Sequence, residues 1–394
     1  MINYLQQPGG PPPDWSDRRT DRRLIMLAGL AGLLCSVLAA VWLAVPATNL
    51  MADTTGQFNT ALSLLNGLFG PTATAGALLG AGLVGVGTAV ILLVRGTASL
   101  PAALVIMIGI AVSVVIGIGI LNETAIMMAG YLMALVVVAG SVLLVVQLVR
   151  KFRIGRWLAL AVVAGIVVIF ATGIVPAQSL LVLAGRIAGL RDRLGTVAII
   201  FGLAATTLLW LLVAARIAQR NRMLDRPAAW VLRHRRVITI LAALGPLPYC
   251  LIRLTWLTPW PYGGAEGLPP DIRIWGVLLS SGGWAGLILT LGLISRWGEV
   301  FPRWVPFFAG RPVPVWVAAG PGSFVAAILL VSAVPMIRAF GAEGVVSGLT
   351  SAVIFPFWFW GPMLSLAVWG YVLHRRAGQT EAASEVESAA RTAG

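Results

Sequence analysis

An all-α, polytopic membrane protein with about ten transmembrane helices is the fold class this sequence predicts. Three observations lead there. Of 394 residues, 59% are hydrophobic and only 11% are charged, whereas a soluble domain carries about a quarter charged residues. The charges are clustered, so long apolar runs alternate with short basic patches, as in chains that cross a bilayer repeatedly. The runs also lack the apolar/polar alternation that strands of a membrane barrel need; AALVIMIGIAVSVVIGIGIL at 102–121 is an example.

Ten apolar spans follow in order: 24–45, 74–94, 102–121, 125–149, 157–176, 196–215, 237–257, 274–295, 315–337 and 346–373. Each is close to or above the roughly 20 residues that a helix needs to cross the hydrocarbon core. The first has 22 residues, longer than the about 7–15 of a signal-peptide core, so it is read as a retained helix. Ten spans put both termini on one side, and the basic residues say which. With the N-terminus cytoplasmic, 22 of the 28 Lys and Arg fall on the cytoplasmic side, five outside and one, Arg253, within a span. That is the positive-inside asymmetry of a plasma-membrane protein, and it explains the net charge of +14 without a nucleic-acid partner, for which no aromatic-interleaved basic motif is present.

Residues 1–23 and 377–394 are polar tails. Neither holds enough apolar surface to offset ordering, so both are expected to be disordered around a helical body at 24–376. Two outside segments, 57–70 and 178–195, carry apolar residues at helical spacing, such as Phe58, Leu62, Leu65 and Phe69. They are expected to lie in the headgroup plane, with a re-entrant segment after Pro176 as the alternative for the second. Gly109, Ser113 and Gly117 form one small-residue ridge, and Gly76 and Gly80 start another; such ridges let membrane helices approach closely. The halves differ in composition: 12 of 15 tryptophans and 15 of 23 prolines follow residue 195.

Little in the chain looks like chemistry. Coupled transport ordinarily needs carboxylates or histidines within the membrane, but the fourteen acids lie in tails or loops and both histidines, His234 and His374, sit in arginine clusters. No metal-spaced cluster, phosphate loop or nucleophile motif appears, so no catalytic, metal or cofactor residues are assigned. The two cysteines, Cys35 and Cys250, lie inside spans and read as buried small hydrophobes.

Two sets of residues stand out. The later spans are interrupted by prolines, and Pro246, Pro248, Pro321 and Pro356, with Arg253, outline a possible substrate path, since broken helices expose backbone groups in carriers. Proline is also well tolerated as a plain packing kink. Arg253 lies about 25 Å along its span, so it either snorkels to the outer interface or turns inward to bind an acidic group. The second set lies in SRWGEVFPRWVPFFAGRPVP, residues 295–314. Arg296, Trp297, Glu299, Arg303, Trp304 and Arg311 make it a membrane-edge connector facing anionic inner-leaflet lipids, or a cytoplasmic gate or docking surface. Glu299 stands three residues after Arg296 and four before Arg303, within helical reach of both.

This stretch, with the arginine-rich loop before it, resembles uncharacterised multi-pass membrane proteins of actinobacterial type, mainly over residues 230–340. The resemblance implies no activity. The functional expectation is a small-molecule or lipid-interacting permease, with a non-catalytic membrane scaffold or subunit as the alternative and a membrane enzyme third. A water-accessible cavity between spans seven, nine and ten would favour the first, and a solid core the second.

Overall fold

The structure, a computed structural model, describes residues 18–52, 63–121, 194–262, 267–268, 270–303, 308–341 and 344–393, together with five single residues between 146 and 164. Helix α1, Arg18–Ala44, ends where Pro46 withdraws a backbone donor. Helix α2, Leu64–Arg95, kinks at Gly70, whose φ of 80° precedes Pro71. Helix α3, Ala102–Ser113, runs on as a π-helical turn, Val114–Ile120, closed by Leu121 N–H donating to Ile116 O at 3.1 Å. Then come α4, Leu194–Arg220, and α5, Asp225–Leu244. The remaining helices are α6, Leu247–Thr255; α7, Pro270–Gly292; α8, Val315–Gly341; α9, Val345–Ile354; and α10, Phe357–Ala393. Among the described residues there is no strand, only an isolated bridge between Val300 and Pro312.

Seven helical stretches are long and apolar enough to cross a membrane, with α5–α6 and α9–α10 each counted as one and a shorter apolar helix at Gly276–Gly292. They match eight of the ten predicted spans. The other two, 125–149 and 157–176, and nearly all of segment 178–195, lie outside the described residues.

Two packed clusters share α8. The first joins α1, α2, α3 with its π turn, and α4, around Trp210, Leu78 and Ile116. The second joins α5, α8 and α10 around Tyr371, Val231 and Leu329. Ile328 and Val331 of α8 belong to the first cluster while Leu329 belongs to the second. The predicted Gly109–Ser113–Gly117 ridge meets α4: Gly109 lies against Ala214, and Ser113 Oγ donates to Thr207 O at 3.1 Å. Gly76 and Gly80 meet nothing within 4 Å among the described residues. Close approach in α2 is made by Gly82 against α1 and Gly85 against Trp210.

Three expectations need correction. Helix begins at Arg18 rather than after residue 23, because Asp21 gives this polar turn a buried partner, described below. At the other end α10 continues to Ala393 through the tail expected to be disordered; alanine and glutamate are strong helix formers and extend an existing helix at little cost. Of segment 57–70, the described part is tied into the bundle rather than laid on its surface. Ser63 Oγ donates to Gly119 O at 2.8 Å, Asn66 Nδ2 donates to Met51 O at 2.8 Å, and Leu65 packs on Gly119. Apolar spacing alone could not reveal that these buried polar side chains had backbone partners.

Candidate functional site

The connector between α7 and α8 is a folded unit. Trp297 lies on Gly292 at the end of α7, and Gly298 sits so close to the Gly292 carbonyl that any side chain there would collide with backbone. From that turn the chain runs out and back as a short ribbon. Phe301 N–H donates to Arg311 O, Gly310 N–H to Phe301 O, each at 2.9 Å, and Val313 N–H to Glu299 O at 2.8 Å.

The end of α10 holds this ribbon down. Buried Tyr371 donates its hydroxyl hydrogen to Gly298 O at 2.8 Å. One turn on, Arg375 donates to Tyr371 Oη at 2.9 Å, to Gly298 O at 3.3 Å and to Val313 O at 2.9 Å. One guanidinium therefore ties both legs of the ribbon, which its planar fork of donors permits and an ammonium would not. His374 Nε2 lies 3.3 Å from Glu299 Oε1. Glu299 is thus paired with α10, and neither Arg296 nor Arg303 is its ion-pair partner; the turn at 296–298 is a single 3₁₀ turn, too short for the helical spacing that would have joined them. With the backbone fixed, Arg296, Arg303 and Arg311 are exposed. Trp304 lies outside the described residues.

A second tie at this end was not legible as a site. Asp21 of α1 is buried, with Oδ1 3.3 Å from Arg216 Nε and Oδ2 against Arg220 Nη2, both on α4. Arg220 also donates to Thr97 Oγ1 at 3.1 Å. These residues line a small recess. The available signal was Asp21, the last of three acids in the N-terminal tail and the one set among its arginines, with two arginines at i and i+4 on another helix.

The proposed path residues divide. Pro246 separates α5 from α6, and Pro356 separates α9 from α10. The two breaks meet: Gly245 lies against the ring of Trp360, and the rings of Tyr249 and Phe355 are 5.2 Å apart. Phe357 continues this aromatic cluster, 5.9 Å from Phe355 and 6.4 Å from Trp360. Trp358 Nε1 donates to Ala352 O at 3.1 Å, the carbonyl that the missing N–H of Pro356 leaves free. Pro248 lies in the first turn of α6, where it breaks nothing. Pro321 lies inside the continuous helix α8, away from the two breaks, while its neighbour Gly322 packs on Val368.

Arg253 packs against aromatic rings of its own helix and the segment after it. Its Cζ is stacked 3.7 Å from the Trp256 ring centroid and 5.1 Å from that of Tyr249, with one amine against Gly276 of α7. It is half-buried. Cys35 and Cys250 are buried and unpaired, as expected; Cys250 packs on Gly283.

Comparison of the chain with protein-family models, with curated proteins and with solved structures returns no match to any of the three.

Proposed function

We propose that this protein is a non-catalytic scaffold or subunit of a larger complex in the plasma membrane, with about ten spans, both termini cytoplasmic, and the 295–314 ribbon as its cytoplasmic docking surface. The observation that carries the reading is the tie from Arg375 and Tyr371 to Gly298 and Val313. A loop that merely joins two spans needs no such anchor. A surface that must be recognised benefits from one, because a preorganised loop loses less entropy on binding. The partner is acidic, matching Arg296, Arg303 and Arg311, or it is the anionic inner leaflet itself. The packing supports the same reading: aromatic rings fill the junction of the two helix breaks, where a path was sought.

The test is a photo-crosslinking residue placed at Arg303 or Arg311 in the native membrane. A discrete protein adduct, lost when the remaining two loop arginines are changed to Glu, supports the subunit reading. Adducts with lipid alone reduce the loop to a membrane anchor.

The permease remains the second reading, because two discontinuous helices meeting at their breaks is the arrangement carriers use. Flux of small solutes into proteoliposomes separates the two. The subunit reading gives rates equal to protein-free vesicles, and the permease gives saturable uptake that Gly245→Leu, which overfills the junction, abolishes.

A further inference from the structure

At the end of α6 and α7 remote from the ribbon, two arginines are without an acceptor. The ion pairs among the described residues use Asp21 and Glu299, and neither Arg253 nor Arg273 takes part. Arg253 stacks on Trp256 and Tyr249. Stacking satisfies the face of a guanidinium but leaves its in-plane N–H donors open. Arg273 is one turn before Gly276, the residue against which Arg253 lies, so both arginines border the same face of α7. Arg273 Nε is buried with no hydrogen-bond partner, and an unmet buried donor on a charged group costs more than a neutral one. Two like charges sharing a face repel each other unless an anion lies between them.

We infer that Arg253 and Arg273 form a binding site for the phosphodiester of an anionic phospholipid headgroup. The surroundings select a lipid over a soluble anion. Leu251 and Leu254 on α6 and Leu257 just after it are 49%, 40% and 64% exposed, an apolar track for an acyl chain. Trp260 and Tyr262 just beyond are 82% and 60% exposed, as aromatic residues are at the level where hydrocarbon gives way to water. Trp256 is held in place for the stack by donating Nε1–H to Tyr262 O at 2.8 Å. The site is preorganised: the fork of Arg253 is already oriented, so a phosphate gains two parallel charge-assisted bonds without ordering the side chain.

The test is native mass spectrometry of the full chain in detergent, titrated with phosphatidylglycerol, with phosphatidylcholine of the same acyl chains, and with inorganic phosphate. The unmodified protein is expected to hold one phosphatidylglycerol at least ten-fold more tightly than phosphatidylcholine. Arg253→Gln and Arg273→Gln should each lose that lipid by ten-fold or more. Arg253→Lys, which keeps the charge but not the fork, should lose about three-fold. Arg296→Gln, Arg303→Gln and Arg311→Gln together should leave it bound, which separates this site from the loop. Retention of the lipid in both single Gln variants, each with an unchanged elution volume, overturns the site. Should Arg253→Gln fail to fold, Arg273→Gln and the lipid preference of the unmodified chain decide. Displacement by millimolar inorganic phosphate would mark a soluble oxyanion site and overturn the lipid assignment.

Discussion

Replacing Asp21 with Asn keeps the shape of the side chain and removes the charge that Arg216 and Arg220 share. Asp21 is 6% exposed, and the two arginine side chains are 21% and 25% exposed. Removing one partner of a fully buried pair costs about 3–5 kcal/mol, because the charge left behind is unpaired. Here water reaches the arginines and offsets part of that, so we expect about 2 kcal/mol. By size scaling this lowers the melting temperature by about 2–3 °C. The assay is unfolding in mixed micelles of Asp21→Asn, Arg220→Gln and the double variant. Residues in one ion-pair network are non-additive, so the double variant should be destabilised by at least about 1 kcal/mol less than the sum of the singles. Strict additivity, or an Asp21→Asn transition superimposable on that of the unmodified protein, would refute the assignment of Asp21 as the tie between α1 and α4.

Tyr371→Phe removes the hydroxyl that meets Gly298 O; it should cost about 1 kcal/mol and raise the rate of protease cleavage within 299–313, measured on closed membranes opened at that face. Gly117 touches Thr207 and Val331 while Gly76 meets nothing among the described residues, so Gly117→Leu should destabilise by about 1–3 kcal/mol through overpacking, and Gly76→Ala should be neutral or slightly stabilising through helix propensity; equal effects in micelle unfolding would contradict the helix contacts.

The helical class and the positions of most spans could be read from the sequence because burial in lipid demands long apolar runs whatever the tertiary contacts are. The Gly109–Ser113–Gly117 ridge was legible for a related reason: three small residues at one-turn spacing have few other uses. Identical spacing at Gly76 and Gly80 meets no helix among the described residues; the pattern does not say which helix a ridge faces. What could not be read were contacts between residues far apart in the chain. Asp21 is 195 residues from Arg216 and Glu299 is 75 from His374, so their pairing depends on which helix ends lie together. Glu299 had plausible local partners in Arg296 and Arg303, and only the fold of the ribbon decides against them. The proline breaks at 246 and 356 were legible one by one, but their meeting through Tyr249, Phe355 and Trp360 was not. Arg253 was found by its charge, and its stacking partners Tyr249 and Trp256 stand at helical spacing four before and three after it; its approach to Gly276 was not legible, because Gly276 comes from a separate helix.

The central claim is that the two legs of the ribbon, 298–303 and 308–313, are held fixed by α10. Amide hydrogen exchange at Phe301, Gly310 and Val313, the three donors inside the ribbon, tests it most directly, comparing the unmodified chain with Arg375→Ala. The account predicts clear protection of all three amides in the unmodified chain, falling at least ten-fold in Arg375→Ala while the amides of α4 are unchanged. Exchange of these three amides at unprotected rates in the unmodified chain would contradict it.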